Sequence, residues 1–114
     1  EGTNIIFHVH WAAAATTGNV KWEVAYYWLN VGGAAVGNPA TAVIESAVGG
    51  TAWTHSIASF PTITGTAKTV SSILIFKIKR IAASTAEMSG DAALLSIDAH
   101  FEIDSPGSRE TLTK

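Results

Sequence analysis

Val20-Lys21-Trp22-Glu23-Val24-Ala25-Tyr26-Tyr27-Trp28-Leu29 is the stretch on which the fold turns. Its even positions are Val20, Trp22, Val24, Tyr26 and Trp28, while its odd positions are Lys21, Glu23, Ala25, Tyr27 and Leu29. Side chains of an extended strand alternate between two faces, so this period of two puts the large residues on one side. Aromatic and β-branched residues also suit a pleated, half-buried surface. The run predicts a long strand with one buried face.

Working outward, Asn4 to Trp11 reads as a strand with Phe7, Val9 and Trp11 on one face, and a small-residue connection follows from Ala12 to Asn19. Beyond the central run, Gly32-Gly33 and Gly37-Asn38-Pro39 mark a loop. Thr41 to Ala47 and Thr51 to Ile57 are two shorter strands around Gly49-Gly50, a pair that reads as a hairpin. Thr66 to Ile81 is expected to begin buried on both sides, with Ser71 and Ser72 inside it, and to end with one face in water. After a polar connection from Ala82 to Asp91, Ala92 to Asp104 closes the sheet. Its inward set is Ala93, Leu95, Ile97, Ala99, Phe101 and Ile103. Strands separated by turns, without an amphipathic helix, predict an all-β fold, an antiparallel β-sandwich or jelly roll.

The 114 residues fit a single domain, 1–114, and a chain of that length can bury about two-thirds of its unfolded surface. A start at Glu1 rather than Met leads us to expect the carboxyl-terminal part of a longer chain. Apolar residues make up 47% and charged residues only 14%, against the roughly 25% usual in soluble domains, so the surface suits packing against other subunits. The seven Lys and Arg include one cluster, Lys77, Lys79 and Arg80, too small to track a phosphate backbone; no nucleic-acid partner is expected. Without Cys there is no disulfide, thiolate ligand or Cys nucleophile. No apolar run reaches the roughly 18 residues of a spanning helix, so no membrane insertion is expected.

His8-Val9-His10 places two imidazoles on one side of its strand, and His100 lies in the last run. Gly2 followed by five residues and then His-x-His resembles the opening of the cupin metal motif. That motif continues with a Glu after three or four intervening residues, where this chain has Ala14 and Ala15. Two imidazoles alone hold a divalent ion weakly. No cofactor or metal is therefore expected; were there one, His8 and His10 would be its ligands, in a cupin-like protein or on the threefold axis of a trimer. Asp98, Glu102 and Asp104 share a face with His100, but this row lacks a nucleophile and an electrophilic partner, and Ser71 and Ser72 lack a Gly-x-Ser-x-Gly turn. An enzyme is not expected. Trp22, Tyr26 and Trp28 read as core, which leaves Tyr27 and Trp53 as the candidate rim of a ligand site.

Taken in order, His8-Val9-His10-Trp11, the run Gly18 to Trp28, Thr54-His55, and the ending from Leu94 through Asp104-Ser105-Pro106-Gly107-Ser108-Arg109 to Lys114 resemble a phage and prophage virion-protein module. The likeness covers nearly the whole chain. It implies a β-sandwich that assembles with copies of itself, as a trimer, and with other virion proteins on the particle surface. The role it implies is capsid decoration or a fibre head. The alternative is a tail fibre or spike domain that recognises a host surface glycan. In the assembled reading His8, His10, His100 and Glu102 lie at or near a subunit interface.

Overall fold

The computed structural model describes residues 2–102. Six strands follow one another: β1 (Ile5–Ala13), β2 (Asn19–Leu29), β3 (Ala40–Ala47), β4 (Ser56–Ser59), β5 (Ile73–Ile81) and β6 (Ala92–Phe101). They form two antiparallel sheets of three strands, ordered β4-β1-β6 and β3-β2-β5. The two runs with the clearest alternation thus become the two central strands. The result is a small β-sandwich, six strands among the described residues against the eight of a jelly roll.

The core is built where the inner faces of β1 and β2 meet. Phe7, Val9, Trp11 and Ala13 from β1 and Val20, Trp22 and Val24 from β2 are all buried, and Met88, Phe60 and Ile63 fill in from the connections. Burying each such large side chain contributes roughly 1.5–3 kcal/mol. The indole Nε1 atoms of Trp11 and Trp22 are shut off from solvent without a hydrogen-bond partner. Each such orphan donor costs about 1–3 kcal/mol, which the ring's buried area must exceed.

On the outer face of the second sheet, register sets cross-strand ion pairs. Lys79 stands opposite Glu23 with Nζ 3.0 Å from Oε1, and Lys21 opposite Glu45 at 3.8 Å. The β5–β6 connection folds back onto the sandwich. Arg80 donates to Glu87 and to the carbonyls of Met88 and Gly90, which holds Met88 in the core. Gly18 lets this connection approach. With φ at +100°, a Cβ there would lie 2.7 Å from the Met88 Cα.

Four expectations are corrected. The segments around Gly49-Gly50 are not a hairpin: β3 bonds to β2 in one sheet and β4 to β1 in the other, and β4 begins only at Ser56. The hairpin is instead β2–β3, joined by the glycine-bearing loop 30–39. The strand expected from Thr66 starts at Ile73, because Ser71 has a positive φ in the preceding turn and Ser72 lies outside the strand, accepting a hydrogen bond from Trp28 Nε1. Ile73 and Ile75 point outward and are half exposed, so the start of β5 is not buried on both sides. In β6 a bulge makes Leu95 an extra residue between the pairs His10–Ser96 and Trp11–Leu94. The inward phase therefore passes from Ile97 to Leu94 and Ala92, and Leu95 is exposed rather than buried. Ile103 and Asp104, with the Gly-Ser-Arg ending, lie outside the described residues.

Candidate functional site

Strand geometry draws the chain's histidines together. Odd residues of β1 point into the core, so His8 and His10 project from the outer face of the β4-β1-β6 sheet. On β6 the register sets Asp98 directly opposite His8 and His100 opposite Ile6, on that same face. His55, in the stretch leading into β4, reaches His10 from the other side. Three of the four histidines thus meet around one carboxylate, and the fourth, His55, is bonded to His10.

The distances are short. Asp98 Oδ2 accepts from His100 Nε2 at 3.1 Å, while Asp98 Oδ1 lies 3.5 Å from His10 Nε2 and 3.8 Å from His8 Nδ1. The His8 and His100 rings lie against each other with centroids 4.2 Å apart. His10 Nδ1 and His55 Nε2 share a hydrogen bond of 2.8 Å with the rings stacked. Asp98 Oδ1 is shut off from solvent and accepts no hydrogen bond. Desolvation works against the charge on Asp98, but the His100 hydrogen bond and the imidazoles of His10, His100 and His8 outweigh it. They hold the carboxyl below its ordinary range.

Of the residues expected at an interface, the structure brings His8, His10 and His100 into this cluster. Glu102 lies just past β6, exposed, and makes no ion pair with the cluster; with Asn4, Ile6, Thr62 and His100 it borders a cavity of about 570 Å³. Sequence reasoning places Asp98 on the face of His100 but not at the centre of a site, and it does not bring in His55. The echo of His8-x-His10 in Asp98-x-His100, two same-face pairs at the same spacing, is the signal that could have found Asp98.

The two aromatic candidates stand apart. Tyr27 is half-buried near the far end of β2, its hydroxyl donating to the Gly37 carbonyl at 2.6 Å. Trp53 is 59% exposed beside the end of β1, its backbone N–H donating to the Ala13 carbonyl and its φ at +59°. A bulky residue with positive φ is uncommon. These two rings do not rim one pocket.

No family model matches the chain, nor does any curated protein or solved structure. What the fold and site define is a small antiparallel β-sandwich whose outer face carries a histidine–carboxylate cluster.

Proposed function

We propose that this chain is a non-enzymatic structural module of a phage virion surface, working by packing against copies of itself and neighbouring virion proteins. One observation carries the assembly part of the reading: among the described residues, the sandwich is open along one side. β3 approaches β4, which leaves β5 and β6 on the same opposite side, and these two do not close on each other. Inner-face residues of both strands are left uncovered there, with Phe76 at 41% and Phe101 at 62% exposure. Leu94 and Leu95 on β6 extend the apolar edge.

A stable monomer seldom leaves inward-facing aromatics in water, and among the described residues both open strands are also sheet edges with unpaired backbone groups. A second copy docking edge to edge satisfies both needs, and an obligate interface of this sort buries on the order of 2,000 Å² or more. Scarcity of charge agrees with such burial. The placement on a virion, and the trimer, rest on the sequence signatures given above. In this reading the particle surface is the module's location, and its work is mechanical. Sedimentation velocity across a concentration series tests it: assemblies that persist to low concentration support the reading, and a single-chain species at every concentration overturns it.

The tail-fibre reading, with a host glycan as partner, keeps one point in its favour, the exposed Trp53 ring held on a strained backbone. Glycan-array binding that Trp53→Ala abolishes would favour it over assembly alone.

A further inference from the structure

We propose that His8, Asp98 and His100, with His10 as a fourth donor, form a binding site for a single divalent transition-metal ion of the zinc, nickel or copper class. Beta-strand register, rather than any contiguous motif, assembles it. From β1 the sequence offers two imidazoles, too few for a stable site, and β6 adds a carboxylate and a third imidazole on the same face.

The spacing fits an ion. Donors about 2.0–2.2 Å from a tetrahedral centre lie roughly 3.3–3.6 Å from one another. The Asp98 oxygens sit 3.1, 3.5 and 3.8 Å from the nearest nitrogens of His100, His10 and His8. One donor atom from each of His8, Asp98 and His100 falls within 4.8 Å of the others. His10, with Nε2 3.5 Å from Asp98 Oδ1, lies outside that trio and joins it by rotation of its ring.

Two further observations point the same way. Asp98 Oδ1 is a carboxylate oxygen without a donor, set between His8 and His10, where a cation would satisfy it. His55 is placed as the outer support that metal-binding imidazoles commonly have, its Nε2 hydrogen-bonded to His10 Nδ1. With the proton on His10 Nδ1, the Nε2 lone pair is turned toward Asp98. Bound there, the ion would staple edge strand β6 to central β1.

The test is isothermal titration of the untagged chain, freed of metal by chelator and dialysis, with Zn²⁺ alone. We expect one ion per chain, a rise in melting temperature with added Zn²⁺, and affinity falling tenfold or more in His8→Ala, His100→Ala and Asp98→Asn. His55→Ala should weaken binding about tenfold through His10. Unchanged near-ultraviolet circular dichroism identifies the variants that remain folded. His100 and Asp98 lie on an edge strand, so their variants keep the test open should His8→Ala not fold. Absence of saturable binding, unaltered affinity in folded Asp98→Asn and His100→Ala, or one ion per three chains would each overturn an intrachain site.

Discussion

The rings of Phe7, on β1, and Phe76, on β5, touch with centroids 5.0 Å apart and planes tilted by 47°. Phe7 is fully buried and Phe76 is not, so this contact is the boundary between the closed core and the open side. We predict that Phe7→Ala costs about 3–5 kcal/mol, as truncation of a buried aromatic does. Phe76→Ala should cost less than half as much in the isolated chain. Urea denaturation of both variants checks this, and equal losses would mean the core extends past Phe76.

Two glycines are required by close approach. A Cβ at Gly65 would fall 2.0 Å from the Thr3 carbonyl oxygen, where residues 63–68 bond to the first strand, and one at Gly18 would meet the Met88 backbone. Gly65→Ala and Gly18→Ala should each lose at least about 2 kcal/mol, in the range of strongly destabilising single changes. Gly49→Ala, with nothing near its Cβ, should stay within about 0.5 kcal/mol of wild type by the same denaturation measurement.

Acid should loosen the β5–β6 connection first. Glu87 is held below its usual range by the Ala83 backbone N–H and by Arg80, and Glu45 by the Ser84 backbone N–H. A carboxyl whose folded value is depressed contributes stability above its unfolded value, near 4.5 here, and loses it as pH falls through the folded value. Wild type should therefore lose stability over that window, while Glu87→Gln starts lower and changes less. Denaturant midpoints measured from neutral pH to about pH 3 check this; parallel curves would remove Glu87 from the account.

Much of the architecture was legible because two strands alternate cleanly. In β2 the contrast between Trp22 and its neighbours Lys21 and Glu23 marks the buried face without any tertiary information. Local signals fail where partner choice is long-range. Gly49-Gly50 looks like a hairpin turn, yet β3 and β4 find their hydrogen bonds on different central strands, which no turn chemistry encodes. The bulge at Leu95 is likewise invisible in a run of apolar residues, and it changes which of Leu94 and Leu95 faces the core. For the site, the shared face of His8 and His10 follows from a period of two. Their meeting with Asp98, His100 and His55 depends on the β1–β6 register and on the chain's path into β4.

Assembly through the open β5–β6 side is the central claim, and multi-angle light scattering of wild type and Phe101→Asp, each with and without chelator, tests it most directly. Phe101 is exposed in the single chain, so a charge there should spare the fold and disrupt only the contact. The account predicts a wild-type mass that is a multiple of 11.9 kDa and insensitive to chelator, with Phe101→Asp at 11.9 kDa. A wild type at 11.9 kDa, or a variant that stays assembled, would contradict it.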